Sequence, residues 1–468
     1  MSTIQQVLAV PGWGGADVED HTALQQDPLP PAERYTAPPR TPGFHRVREP
    51  AEALSIGLVL DSGELVWGDC VSVAYGGKAG RAPVFRARRG EETVSSVVAP
   101  ELVGLEVENF RENCRLIDGL QETVTVERPL LEEGLDGEIT RRQLFQSAAQ
   151  LFQDQPRVQR ETITQPLHPA LRYGLSQALL RAASRSHDLH PCQVLCREWD
   201  LPLPDRPVPL HAQCGRDRFG GPDQMIARRI SSLPHGLVDD ISEQVGEDAL
   251  HLIRYTRWLK NRIDALTGGR SAGYQPTIHL DLHGALGTLY DGDLGRILGT
   301  LYALEKAADP YPLRVECPLL SDTREGQIET YQTLREYLDF RKMNVQLVAD
   351  EWANTRDDIQ AFVDHRAAHM IQIKTPDVGS LAQTMDAVLA CRQAGLEAFL
   401  GGSCAETDLS ARASVHVALA SQPQLLLAKP GLGISEAIAI TRNEINRTLA
   451  ELHHLPVDPG SEQPGRAG

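Results

Sequence analysis

The sequence predicts an α/β protein, a TIM-type (β/α)8-like barrel preceded by an α+β capping domain. Three observations carry the prediction. The segments TIHLDLHG, LRVECP, VQLVADEW and HMIQIKTPD each run apolar and then stop at one hydrophilic residue: Asp281, Glu316, Asp350 and Lys374. Those four are 35, 34 and 24 positions apart, the length of a strand, a return helix and the next strand. Eight strand-like runs alternate with helical stretches over about 240 residues, the length of one such barrel.

The 468 residues suggest about three domains by length alone, although barrels run long as single domains. A net charge of -17 argues against nucleic acid or an anionic membrane as partner. The cysteines, Cys70, Cys114, Cys192, Cys196, Cys214, Cys317, Cys391 and Cys404, form no CxxC pair and no disulfide-rich spacing. They read as reduced thiols of a cytoplasmic protein, with Cys192 and Cys196 packing on one helix face. The first residues lack the basic-then-apolar order of a leader, and no run approaches membrane-spanning length.

In chain order, an apolar run from Val7 to Val10 breaks at Pro11-Gly12. Residues 25–43, rich in proline, make an irregular loop that serves either as a lid or as a surface excursion. Ser55 to Leu60 and Glu64 to Trp67 flank Asp61-Ser62-Gly63, a hairpin signal. The glycine-rich AYGGKAGR, residues 74–81, lacks the GK[ST] ending of a phosphate loop, which excludes nucleotide binding there and leaves a mobile loop. Residues 91–155 read as helices, 156–169 as mixed, and Ala170 to Ala183 as one helix with Leu171, Leu175, Ala178, Leu179 and Ala182 on a common face.

This sets a capping domain at residues 1–203. Pro202, Pro204, Pro207 and Pro209 make a stiff linker. A barrel domain follows at 204–450. Its strand runs are Val208–Gln213, part of Ile226–His235, Thr277–Asp281, Leu313–Glu316, Val345–Asp350, Met370–Lys374, Glu397–Gly401 and Gln424–Ala428. A helix is expected from Ser242 to Leu266, closed by Gly268-Gly269. Residues 451–468 read as a disordered tail.

In this fold the strand C-termini build the active site. Three convergent carboxylates cannot all stay ionised and unpaired in a cleft. A hard divalent cation such as Mg²⁺ resolves the conflict and keeps positions open for substrate. Lys374 on the next strand then stands beside the metal, as a base if burial and nearby positive charge lower its pKa. His235 ends strand two and faces Lys374 across the mouth, a second acid/base candidate. Gln372 shares the side of the strand that bears Lys374. Gln213 ends strand one, and Ser403 and Cys404 follow strand seven. Metal and base together point to abstraction of a proton next to a carboxylate, with the cation holding the charge that develops on the carboxylate oxygens.

HLDLHG, RVECP, LVADEW, HMIQIKTPD, GGSCAET and LAKPGLG, with CVSVAYGGKAGR and LRYGLSQALL nearer the N-terminus, resemble the matching segments of the methylaspartate ammonia-lyases of the enolase superfamily. The resemblance implies deamination of (2S,3S)-3-methylaspartate to mesaconate, with Mg²⁺ and a monovalent cation such as K⁺, by a homodimer. It implies Asp281, Glu316 and Asp350 as Mg²⁺ ligands and Lys374 as the base at C3. His235 would serve the opposite face, Gln213 and Gln372 would hold a carboxylate, and Ser403 and Cys404 would supply further contacts. The chain departs from the family pattern at Ala74 (Gln in the family), Phe399 (Tyr), Ser403 (Thr), Leu432 (Met) and Cys214 (Ser), and it carries extra sequence between Cys114 and Gln165. Two other readings stand beside it. Another enolase-type reaction, racemisation or cycloisomerisation, commonly uses a KxK pair on strand two, and none lies near His235. A non-catalytic barrel would leave all four rim residues without a task.

Overall fold

A computed structural model describes residues 2–26, 29–129, 158–431 and 433–454. The chain divides into two compact units, Gly119–Leu167 on one hand and Met1–Asp118 with His168–Gly468 on the other. In the smaller unit β4 (Gln121–Pro129) pairs antiparallel with β5 (Val158–Pro166), Thr125 opposite Thr162. The helical reading of 91–155 is corrected at Gln121–Pro129, and its part from 130 to 155 lies outside the described residues. Helical turns do run from Ala87 to Leu102 and from Phe110 to Gly119. The stretch TVTV, however, alternates β-branched residues and extends as a strand.

The larger unit begins with a three-stranded antiparallel sheet of β1 (Ile4–Glu19), β2 (Arg48–Leu60) and β3 (Leu65–Cys70). The hairpin at Asp61-Ser62-Gly63 forms as expected. The expected break at Pro11-Gly12 does not occur: β1 runs through it as the edge strand of its sheet, the position at which sheets tolerate proline. Asp20 ties the proline-rich loop down. Its carboxylate accepts from the backbone N–H groups of Arg40 (2.6 Å) and Thr41 (2.7 Å) and from the Thr41 hydroxyl (2.6 Å).

The barrel is closed and parallel. Its strands run in sequence order around the ring: β6 (Leu210–His211), β7 (Ser232–His235), β8 (Thr277–Asp281), β9 (Leu313–Glu316), β10 (Val345–Ala349), β11 (Met370–Ile373), β12 (Glu397–Leu400) and β13 (Leu425–Leu427). All eight coincide with the expected runs. β9, β11 and β13 are buried at every position; LLL of β13 accordingly reads as a continuous apolar run, whereas LRVE of β9 and MIQI of β11 bury polar side chains as well. The helix expected from Ser242 starts only at Leu250 and runs to Thr267. Gly246, Asp248 and Ala249 all have positive φ and interrupt the helical path before it. The last helix, Ile434–His454, carries on into the expected tail. Residues 455–468 of that tail, Leu432, and most of the extra sequence after Cys114 lie outside the described residues. No helix among the described residues is long and apolar enough to cross a membrane.

The helix Pro169–His187 crosses β3 at a pair of glycines. A methyl on Gly174 would stand 2.3 Å from Cys70 Sγ and 2.6 Å from Cys70 N, and one on Gly68 2.1 Å from the Gly174 carbonyl oxygen. By contrast, a methyl on Gly299, inside the helix Leu294–Ala308, would meet nothing within 4 Å. Opposite signs follow. Gly174→Ala should destabilise the protein by about 1–3 kcal/mol through overpacking. Gly299→Ala should stabilise by roughly 0.5–1 kcal/mol through helix propensity. Urea midpoints of the two variants measure both, and a midpoint unmoved by Gly174→Ala would refute the tight crossing.

Candidate active site at the C-terminal rim of the barrel

The register of the barrel strands sets the site. Asp281 pairs with Glu316 at the same level of neighbouring strands, and both side chains are buried. On the next strand Val348 is level with Glu316, so Asp350 stands two residues higher and points to the same side. Ala349 is level with Ile371, so Lys374 rises two residues above Asp350. This stagger is what closing a sheet into a barrel requires, and it turns four strand ends into one rim.

The electrostatics of the rim are those of crowded like charge. Burial, and then the charges of Asp281 and Asp350, push the Glu316 carboxyl well above the usual carboxylate range. Burial likewise raises Asp281, with Glu351 and Asp350 adding to it and His235 opposing. Each carboxylate has collected hydrogen-bond partners. Glu316 accepts from Gln372 and lies 2.7 Å from His279 Nε2. Asp281 accepts from the His283 amide (3.2 Å) and lies 3.2 Å from His235 Nε2. Asp350 accepts from Lys374 Nζ (2.6 Å) and from Arg81 (3.0 Å).

Lys374 departs from the expected direction. Burial is the largest influence on it and acts downward, as does Arg81, but Asp350, Glu351 and Asp377 together outweigh them and its pKa is raised. The expectation counted the neighbouring cation and not the two further carboxylates, Glu351 and Asp377, that the fold brings in.

All nine residues singled out in the sequence line one cavity of about 420 Å³: Gln213, His235, Asp281, Glu316, Asp350, Gln372, Lys374, Ser403 and Cys404. Ser403 is buried, its amide donating to Glu406 Oε1 (3.2 Å) and its hydroxyl accepting from the Ala405 amide (3.1 Å). Burial raises the Cys404 thiol. Of the departing positions, Ala74, Cys214 and Phe399 also line the cavity. None of the three offers the cavity an oxygen or nitrogen side-chain atom.

Sequence reasoning missed three groups. Arg81 closes the glycine-rich segment that reads as a mobile loop. The structure anchors that segment instead: Arg81 is buried between Asp350, Glu351 (3.5 Å) and Asp377 (3.1 Å), and Asn354 donates to the Ala79 carbonyl (2.7 Å). The second acidic residue in ADEW was the available signal for a buried cationic partner. Lys429 and Glu406, both fully buried, pair at 2.8 Å behind the 401–406 loop. Lys429 also donates to the Gly401 carbonyl (2.8 Å), and Tyr173 donates to Glu406 Oε2 (2.7 Å). The third group is a trio of imidazoles, His211, His235 and His279, below the rim.

With this geometry in hand, the comparisons are direct. The family descriptions for the methylaspartate ammonia-lyase N-terminus and C-terminus match residues 2–200, in two overlapping pieces, and 202–454. Methylaspartate ammonia-lyase 2 of Carboxydothermus hydrogenoformans is 38% identical over 96% of this chain and 98% of its own. The crystal structure of the Citrobacter amalonaticus methylaspartate ammonia lyase containing (2S,3S)-3-methylaspartic acid superposes with a TM-score of 0.83 at 36% identity, covering 96% of this chain and 100% of the other. The magnesium complex of β-methylaspartase from Clostridium tetanomorphum gives 0.80 at 32%, covering 96% and 99%. Muconate lactonizing enzyme from Pseudomonas fluorescens, at 14% identity and a TM-score of 0.55, shares the fold alone. A cap over a closed parallel barrel, a rim of carboxylates and lysine, and full-length similarity on both measures agree: this chain belongs to the methylaspartate ammonia-lyase family.

Proposed function

We propose that this protein eliminates ammonia from (2S,3S)-3-methylaspartate to give mesaconate, with Mg²⁺ held by Asp281, Glu316 and Asp350. The observation that carries it is Lys374 Nζ at 2.6 Å from Asp350, with Glu316 and Asp281 on the same cavity wall. The carboxylates fit the cation. They are oxygen donors, and Glu316 is raised in part by the charges of Asp281 and Asp350, and Asp281 by those of Glu351 and Asp350, the repulsion that a hard cation relieves. Bound there, Mg²⁺ supplies positive charge against the enediolate that forms as the proton leaves.

Lys374 takes the proton from C3. The electron pair left at C3 then forms the C2–C3 double bond, and ammonia leaves C2 with the electrons of the C–N bond. Asp350 is the main counter-charge holding Lys374 up. A cation on Asp350 would offset that counter-charge, leaving Glu351 and Asp377 to raise Lys374 against burial and Arg81, which favour the neutral base. His235, across the cavity, serves the opposite face of C3. Gln213 and Gln372 hold a substrate carboxylate, and Ser403 and Cys404 complete the wall. A monovalent cation such as K⁺ assists, and the enzyme acts as a homodimer, which sedimentation at twice the chain mass would show. The working domains are the cap at 1–203 and the barrel at 204–450. The cysteines among the described residues are all unbridged, in keeping with a reducing cytoplasm.

A second reading is favoured by Ala74, Cys214 and Phe399 in the cavity wall: the same elimination on an aspartate with another alkyl or amine substituent. Incubation with (2S,3S)-3-methylaspartate, Mg²⁺ and K⁺ should give an ultraviolet rise from the conjugated diacid, abolished by EDTA. No rise from protein shown to bind Mg²⁺ would exclude this substrate. Ala74→Gln should raise kcat/KM for 3-methylaspartate if Ala74 has shifted the preference, and equal values for both proteins would remove Ala74 from the argument. Lys374→Ala should cut C3 hydrogen exchange of the (2S,3S) substrate by about 10²–10⁴-fold while Mg²⁺ still binds. His235→Ala should lower chiefly the reaction of the diastereomer whose C3 proton faces it, and equal losses on both diastereomers would argue against two separate bases.

A further inference from the structure

Below the carboxylate rim, three imidazoles meet inside the barrel. His211 ends β6, His235 ends β7, and His279 lies two residues before Asp281 on β8. His211 and His279 are fully buried, while His235 reaches the cavity. One ring nitrogen from each lies within 4.8 Å of the other two. His211 Nε2 stands 3.2 Å from His235 Nδ1. Two nitrogens bound to one tetrahedral zinc at 2.0–2.1 Å are about 3.3 Å apart, so this pair already stands at ligand spacing.

The rest of the arrangement is that of a ligand set and not of a packed core. Each ring is held from a second side: His211 Nδ1 by Ser232 Oγ (2.9 Å), His235 Nε2 by Asp281 (3.2 Å) and His279 Nε2 by Glu316 (2.7 Å). Such outer partners fix ring orientation and tautomer in metal sites. His279 Nδ1 is buried with no hydrogen-bond partner among the described residues, a cost that a ligand would remove. Phe399 closes one side, its ring 5.0 Å from His211 and 5.7 Å from His279.

We infer that His211, His235 and His279 form a second metal site, selective for a borderline cation of the Zn²⁺ class and separate from the carboxylate rim. Ligand chemistry divides the two. Imidazole nitrogen suits Zn²⁺, Co²⁺ and Ni²⁺, and carboxylate oxygen suits Mg²⁺. The cavity above His235 is the way in and leaves a coordination position open. The binding claim does not rest on the reaction proposed above. Its consequence does: a cation here ties up His235 and removes it from substrate chemistry.

Co²⁺ is the probe, because its visible spectrum reports nitrogen ligands without any turnover. Chelator-treated protein is saturated with Mg²⁺ and titrated with Co²⁺. One equivalent should bind with a visible band that excess Mg²⁺ leaves in place and Zn²⁺ displaces. His211→Phe should weaken Co²⁺ binding at least about tenfold, with Mg²⁺ binding unchanged. Should that variant not fold, His211→Gln carries the same readout. Loss of the band to excess Mg²⁺ would place Co²⁺ on the carboxylates and overturn the proposal. So would an undiminished Co²⁺ affinity in either folded His211 variant, or the absence of any band.

Discussion

Repulsion among buried carboxylates is the constraint on which the rest of this molecule turns. Barrel closure forces Asp281, Glu316 and Asp350 to one rim, and burial makes their shared charge costly. The surroundings answer that charge from several elements. Arg81 comes from the segment after the N-terminal sheet, Lys374 from the neighbouring strand, and Gln372 and His235 supply hydrogen bonds. Because Arg81 is itself buried, its ion pairs with Asp350 and Asp377 tie the glycine-rich loop to the barrel mouth. The same charge that calls for a cation thus also fixes the wall of the cavity.

A second buried ion pair steadies the opposite wall. Lys429 and Glu406 are fully enclosed, and their side chains bond to several elements around the site. Lys429 reaches Gly401 at the end of β12, Glu406 receives the Ser403 amide, and Tyr173 joins from the helix Pro169–His187. The Gly15 amide of β1 donates to the carbonyls of Ala405 (3.0 Å) and Glu406 (3.1 Å). A methyl on Gly402 would fall 2.2 Å from Glu406 Oε1 and 2.4 Å from Lys429 Nζ, so only glycine lets the pair close under the loop. Removing one partner of a pair this buried leaves an uncompensated charge, which is why such pairs are all-or-none features. Ser403 and Cys404 owe their place to it.

The two kinds of donor at the barrel mouth lie in layers. Oxygen donors form the rim and nitrogen donors lie beneath, with His235 belonging to both through Asp281 above and His211 below. Alternation along a strand produces this layering: His279 and Asp281 are two apart on β8 and so point the same way, one deeper than the other. A site built this way has its first ligands and their supports on rigid strands, which holds geometry better than loops do.

What the sequence by itself determined was periodic and local. The apolar runs, their spacing and their hydrophilic stops were enough for the eight strands and for the nine side chains that line the cavity. Each of those features is written within a few residues of chain. The misreadings were also local. TVTV in β4 was lost inside a stretch read as helical, and Gly246 with its neighbours delayed a helix that periodicity started too early. What only the tertiary structure decided were partnerships across long separations. Arg81 meets Asp350 across 269 positions, and Tyr173 meets Glu406 across 233. The raised Lys374 follows from the same cause, since its state depends on carboxylates converging from other segments. The imidazole trio, too, spans three strands. Electrostatic interaction depends on distance in space, and a linear pattern carries no measure of that until the barrel has closed.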